Sequence, residues 1–171
     1  MPGIFDSDFV TVLRRKWNKG INHHAHVYIS RKDETAIVVT LHFNGEGGIL
    51  FEDSSPVLLL PPFDALDLGR KLSAALSRTQ VHSPVSFAKR KLTDWPAFRA
   101  SKAKSVRHFE EEYIGILVAG ANESNLVYII DGSPEKDAEL HVVANVSSSA
   151  PPTELGDLIR RVYSACRDRQ V

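Results

Sequence analysis

Between His24 and Asn44 the chain alternates. Odd positions Val27, Ile29, Ile37, Val39, Leu41 and Phe43 are all apolar, whereas even positions His24, His26, Tyr28, Thr40 and His42 are polar or amphipathic, with Val38 the exception. A period of two belongs to strands. The polar Arg31–Glu34 stretch between the runs reads as a turn, so 26–30 and 35–44 are predicted to pair as a hairpin with one core face and one wetter face. With the turn centred on Asp33, position i faces position 66 − i, which sets His24 opposite His42 and leaves His26 two residues along the same face. Asn44–Gly48 supplies residues that tolerate positive φ, and Ile49–Phe51 reads as a returning strand. Val57–Leu60 is a short apolar run, expected to be buried and closed by Pro61-Pro62.

The period then changes. Leu68, Leu72, Ala75 and Leu76 lie at i, i+4, i+7 and i+8, the stripe of a helix. Asp64 and Asp67 stand three apart at its start and suit a helix N-terminus by charge and capping geometry. Gln80–Phe109 reads as a turn and one or two short helices, with Thr93 or Asp94 as a cap and Pro96 in a first turn. Strand patterns return at 113–121, 125–131 and 139–146, separated by the turn-rich 120–124 and by 131–138, which opens with Asp131-Gly132. A last helix is expected over about Pro152–Arg167.

The order β-β-β-helix therefore occurs twice. Shifting the first helix by 87 positions lays Leu68-Gly69 on Leu155-Gly156, Leu72 on Ile159, Ala75 on Val162, Leu76 on Tyr163 and Ser77 on Ser164. Gly inside a helix costs roughly 0.5–1 kcal/mol against Ala, so its recurrence at one phase predicts a close approach, here of helix to sheet. The expected fold is α/β (α+β): one domain over 1–171 whose central, mostly antiparallel sheet is made of two similar β-β-β-α halves, about 24–79 and 112–168, joined by a helical connector over about 80–111.

Composition narrows the class. With 43% apolar and 25% charged residues in 171, the chain has the profile of a globular domain large enough to bury its own core. No apolar stretch approaches the ~18–20 residues of a membrane span, and the start lacks the basic-then-apolar pattern of a secretory signal. The single cysteine, Cys166, fits a reducing compartment, so a cytoplasmic location is expected.

Lys+Arg and Asp+Glu both number 21, which gives no overall case for a nucleic-acid or membrane binder. The neutral average hides a basic segment, 89–107, with seven basic residues and one acidic, beside an acidic one, 109–139, with eight acidic residues and one basic. Phe87, Trp95 and Phe98 interleave the basic segment as a nucleic-acid binder would require, although helix-spaced aromatics also serve as core. The alternative chemistry is a zinc-dependent hydrolase: His24, His26 and His42, if converging on one sheet face, would bind zinc and leave a fourth position for water. No Gly-x-Ser-x-Gly elbow occurs, and Cys166 sits on an apolar helix stripe, the setting of an inert thiol.

The doubled pattern of an apolar run, a Pro/Ser/Asp turn, an acidic residue with Leu-Gly and a helical stripe resembles the immunity proteins of contact-dependent growth inhibition (CDI) systems, in particular those with two Leu-Gly helices. Trp95, the basic 101–109 stretch, the apolar 113–118 run and Asp131-Gly132 resemble the middle of the same family, and the likeness spans roughly Ile37 to Arg167. It implies a cytoplasmic protein that binds and neutralises one cognate toxin domain, often a nuclease, without enzyme activity, metal or cofactor. A nuclease presents a basic cleft, and an inhibitor offering carboxylates to it gains steered association. On that reading Glu110, Glu111, Glu112, Asp131, Glu135 and Asp137 are toxin-binding candidates, and the face expected to bear His24, Tyr28 and His42 is a second candidate surface.

Overall fold

The computed structural model describes residues 23–45, 49–83, 86–87, 89, 91–120, 127–134 and 141–168. Its elements run β1 (His24–Ser30), β2 (Ala36–Asn44), β3 (Ile49–Glu52), β4 (Val57–Leu59), α1 (Ala65–Leu76), β5 (Val81–His82), a 3-10 turn (Leu92–Asp94), α2 (Pro96–Ala100), α3 (Val106–Glu112), β6 (Tyr113–Gly120), β7 (Val127–Gly132), β8 (Val142–Ser147) and α4 (Pro152–Arg167). One mixed sheet has the order β3-β2-β1-β6-β7-β8, with β4 and β5 also pairing β2. Every pair is antiparallel except β2–β5. The predicted α/β class with a mostly antiparallel central sheet is the observed one; the second half is β-β-β-α as expected, whereas the first carries a fourth strand, β4, before α1. The halves meet at the antiparallel β1–β6 pair in the middle of the sheet.

The hairpin register differs from expectation by one residue, and that difference reorganises the molecule. Ser30 N–H donates to the Thr35 carbonyl at 2.9 Å, so the loop has four residues, Arg31–Glu34, and the turn centres between Lys32 and Asp33. Glu34 takes φ 58° to close it, and the Asp33 carboxylate accepts from the Thr35 N–H at 3.0 Å. That hydrogen bond is the main reason the Asp33 carboxyl ionises below its ordinary range. Partners consequently sum to 65, as in His26↔Val39 and Tyr28↔Ile37. Because side chains alternate, an odd sum puts the odd residues of β1 on the same face as the even residues of β2.

Both faces are therefore buried, rather than one core and one wet. On the first, Ala25, Val27, Ile29, Ala36 and Val38 join Ile114, Ile116, Val118 and Ile130 under α1 and α4. On the second, Tyr28, Ile37 and Val39 pack with Ala97, Phe109 and Tyr113, backed by Trp95 and Phe98. Each fully buried side chain of this size is worth about 1.5–3 kcal/mol relative to exposure. Val38 breaks the even-position pattern because even positions of β2 face the helices.

Helices α1 and α4 match expectation. Asp64 caps α1 by accepting from the Asp67 N–H at 2.8 Å. Leu68, Leu72, Ala75 and Leu76 face inward, as do Leu155, Ile159, Val162, Tyr163 and Cys166 of α4. The paired glycines do mark a close approach, but of helix to helix. A Cβ on Gly69 would overlap the Pro152 carbonyl, and one on Gly156 would overlap that of Ala65. Helix meets sheet most tightly at Gly132, where a Cβ would lie 2.6 Å from Val162 Cγ1 and 2.9 Å from Cys166 Sγ. Asp131-Gly132 thus ends a strand instead of forming the predicted turn.

The remaining differences are local. Val57–Leu60 is a half-exposed edge, since β4 pairs β2 on one side only and Leu58 and Leu60 reach solvent. Trp95, not Thr93 or Asp94, precedes α2, with Pro96 at its first position. Asp94 instead accepts from the Lys91 N–H at 3.0 Å, closing the 3-10 turn. Glu110–Glu112 are the last turn of α3, which Ser105 caps. Among the described residues, no helix is long and apolar enough to cross a membrane.

Candidate functional site: the open face of the sheet

Helices α1 and α4 cover one sheet face from β2 to β8, but α2 and α3 cover only part of the other. From buried Val39 of β2, under the covered part, the row His26, Leu117, Asp131 and Val143 runs as successive cross-strand neighbours to β8 across the uncovered part. Val143 is 55% exposed there, and Leu92 at the far rim is 77% exposed. Two concavities lie on this face, one on either side of Trp95. The first, about 360 Å³, is lined by Tyr28, Trp95, Phe109, Glu110, Asp131 and His141, among others. The second, about 540 Å³, adds Leu41, Leu50, Phe51, Glu52 and Leu92. His26, Tyr28, Trp95 and Leu117 belong to both, so the two are lobes of one surface.

A buried polar chain braces the ridge between the lobes. The Tyr28 hydroxyl donates to Glu52 Oε1 at 2.6 Å, and Glu52 Oε2 accepts from the Ala97 N–H at 3.0 Å. His26 Nδ1 lies 2.8 Å from the same hydroxyl. A phenol has one proton and gives it to the carboxylate, so the imidazole must be the donor to the phenol oxygen. Burial alone would raise the Glu52 pKa. Hydrogen bonding by the His26, Trp95 and Tyr28 side chains and the Ala97 amide outweighs it and holds the carboxyl below its usual range. Burial, with the Glu52 charge beside it, drives the Tyr28 pKa well up, so the phenol stays protonated. Aromatic contacts complete the wall: Trp95 meets Phe109 edge-on at 4.9 Å, and Phe109 stacks on Tyr113 at 4.8 Å.

The predicted candidates fall into separate groups. Glu110 and Asp131 reach the same lobe, and Asp131 Oδ1 lies 2.9 Å from His141 Nδ1. Glu111 points to solvent, ion-paired with Arg107 at 2.8 Å one helical turn away. Glu112 is structural, since its side chain accepts from Ser30 Oγ at 3.2 Å and its carbonyl from the Arg31 N–H at 2.8 Å. Glu135 and Asp137 lie outside the described residues.

The histidines do not form the expected set. His24 is fully buried, edge-on to the Phe43 ring at 5.0 Å, and burial, with His23 adding a smaller electrostatic push, lowers its pKa to about 4. His42 is buried on the helix side, where its Nδ1 accepts from the Gln80 N–H at 3.2 Å and its ring meets His82 at 4.6 Å. Burial, then His82, lowers its pKa. The odd sum of the hairpin puts His42 on the opposite face from His24 and His26. The zinc triad His24–His26–His42 and the His24–Tyr28–His42 surface therefore both dissolve, leaving Tyr28 and His26 on the open face. Among the described residues no three His, Cys, Asp or Glu side chains are placed to hold a metal ion.

Sequence reading missed Glu52, Trp95 as a site residue, and His141. Glu52 ends an apolar strand and finds Tyr28 and Ala97 at distant positions, so nothing local announces it. His141 carried a signal only through Asp131, and that pairing depends on the β7–β8 register.

The architecture is thus a mixed α/β domain with one helix-covered and one largely open sheet face. No protein-family model matches the chain, and no curated protein matches it by sequence. Solved structures that share the fold include the following two. One is a protein of unknown function, NMB0488, from Neisseria meningitidis, with TM-score 0.65 and 17% identity over 84% of this chain and 94% of that one. The other is a chain of a CdiA-CT/CdiI toxin and immunity complex from Yersinia pseudotuberculosis, with TM-score 0.62 and 16% identity over 84% and 97% respectively.

Proposed function

We propose that this chain is an immunity protein that binds a CDI toxin domain and neutralises it by occlusion, with no catalysis, metal or cofactor of its own. The observation that carries the reading is the fold shared with a chain of a CDI toxin and immunity complex over 84% of this sequence. The doubled Leu-Gly helix pattern supports it independently. The partner on this reading is a cytoplasm-acting toxin, a nuclease whose basic cleft suits an acidic surface such as that at Glu110 and Asp131.

The test is genetic and direct. A large secreted protein with a variable C-terminal domain, encoded immediately upstream, should supply the toxin. Expressing that domain alone should arrest growth, and co-expressing this chain should restore it and yield a stable complex. Growth arrest that persists despite soluble expression of this chain would overturn the proposal. A nuclease is supported if the arrested cells show degraded DNA or RNA, and intact nucleic acids would reject that part.

A further inference from the structure

We propose that residues 1–22 cover one end of the open face: an amphipathic helix over about 7–19 folds back from His23 and seats its apolar stripe on His24, Leu41, Phe43 and Ala119. The row demands an occupant. His24 pairs with Ala119 across β1 and β6, and its ring meets that of Phe43 edge-on at 5.0 Å. Leu41 and Phe43 follow Val39 at alternate positions of β2, so they share its face. All four are buried, at 0% for His24, 4% for Leu41, 5% for Phe43 and 8% for Ala119. Yet Leu41, Phe43 and Ala119 belong to neither of the two cores, because α2 and α3 pack around Tyr28, Ile37 and Val39 instead. On β7 the burial stops: Ile129, the cross-strand neighbour of Ala119, is 38% exposed. These exposures are those of the single chain, so the cover comes from the same chain and not from a second copy or a partner.

Among the segments outside the described residues, 1–22 alone has both the place and the length. It joins the sheet at His23, whose carbonyl accepts from the Gly120 N–H at 3.0 Å beside the buried row. Segments 46–48 and 121–126 are short links between neighbouring strands. Residues 169–171 follow Arg167, which pairs with Glu34 at the far end of the hairpin. The pattern of 1–22 suits the seat. Phe5, Phe9, Val12, Leu13 and Trp17 lie at i, i+4, i+7, i+8 and i+12, the stripe of a helix. Asp6 or Ser7 can cap its start, Arg14, Arg15 and Lys19 suit its end, and Gly20 follows as a terminator. Lys16 interrupts the stripe and has a stem long enough to snorkel. A helix over 7–19 is about 20 Å long, enough to cross the three strand spacings from β3 to β6, about 14 Å. Residues 1–22 take this seat whether or not the chain neutralises a toxin, and they leave the β7–β8 half of the face, with Asp131 and Val143, free for a partner.

The test uses the full chain in two arms. In the first, a nitroxide is attached at Thr11→Cys, on the polar side of the stripe, while the buried Cys166 stays unlabelled. The amide NMR signals of Leu41, Phe43 and Ala119 should broaden most, and that of Glu34, at the far end of the hairpin, least. Broadening that is weak everywhere, or strongest away from that row, overturns the proposal. Nitroxide-bearing chain is also mixed with isotope-labelled chain that has no nitroxide. Broadening of the row in that mixture would mean that a second copy supplies the cover, and would overturn it too. In the second arm Phe9→Ser with Leu13→Ser removes the centre of the stripe, and Arg15→Ser changes its polar side. The double variant should shift the Leu41, Phe43 and Ala119 signals and lower the urea midpoint, and Arg15→Ser should do neither. Unchanged signals in the double variant, or equal shifts in both, overturn the proposal. If the double variant fails to fold, the nitroxide arm decides.

Discussion

Gly69 and Pro152 lie in direct backbone contact, and their equivalents Gly156 and Ala65 repeat that contact from the other side. The two contacts are related by the same 87-residue shift that aligns the helices, since 65 becomes 152 and 69 becomes 156. Helices α1 and α4 therefore lock reciprocally, each lending a glycine to the other's first turn. Gly69→Ala or Gly156→Ala should destabilise the fold by about 1–3 kcal/mol or more through overpacking, although Ala would favour a free helix by ~1 kcal/mol. Urea unfolding measures the sign. A stabilised variant would mean that the helices separate easily and the lock is not required.

Tyr28→Phe should cost about 1–3 kcal/mol, because it removes a donor from a buried carboxylate and replaces it with nothing. The same network predicts a response to acid. Glu52 ionises below its ordinary range in the fold, so its stabilisation is present above the unfolded carboxyl pKa and is lost as pH falls through the folded value. Glu52→Gln should flatten the acid limb of a plot of stability against pH. An unchanged limb would place the acid sensitivity elsewhere.

His24 acts in a higher window. The unfolded chain takes up its proton near pH 6.5 and the folded chain only near 4, so between these values unfolding binds a proton and stability falls as pH falls. The full effect is about 3 kcal/mol, from ~1.4 kcal/mol per pH unit. His42, also lowered chiefly by burial, acts in the same direction. His24→Leu should reduce the slope between pH 6.5 and 4 without altering the steeper loss below it. Equal slopes in both proteins would contradict the assigned burial.

How much of this was readable in advance divides by the range of the interaction. The caps and stripes of α1 and α4 were legible because Asp64, Asp67 and Leu68 act within a helical turn or two. The faces of β2 were not, because a strand covered on both sides loses clean alternation, and Val38 was the one visible symptom. Asp131-Gly132 has the composition of a turn, but Val162 and Cys166 press on Gly132 from a helix thirty residues away. For the site, Glu110 and Asp131 were identified by charge alone. Their separation from Glu111 and Glu112 depends on which side of α3 meets Ser30, and that is a tertiary fact.

That separation is measurable. Glu111→Lys should change stability by no more than ~0.5 kcal/mol and leave partner affinity at its wild-type value. Glu112→Lys should lower the urea midpoint by removing the acceptor of Ser30 Oγ. Affinity lost through Glu111→Lys would redirect attention to the exposed side of α3.

Cys166 is fully buried against the sheet, so thiol labelling should proceed only as fast as the chain opens. Rapid labelling in native buffer would show that α4 detaches locally.

The four-residue loop Arg31–Glu34 makes the character of β2 a matter of counting. Inserting or deleting one residue there, with the strands still paired, would turn β2 over and exchange every side chain between the two faces. Val38 would then point away from the helices and Val39 into them, and the seat of Tyr28 and Glu52 would be lost with the second core. Relatives of this chain should thus accept changes of residue in the loop, within the limits set by Asp33 and Glu34, far more readily than changes of length.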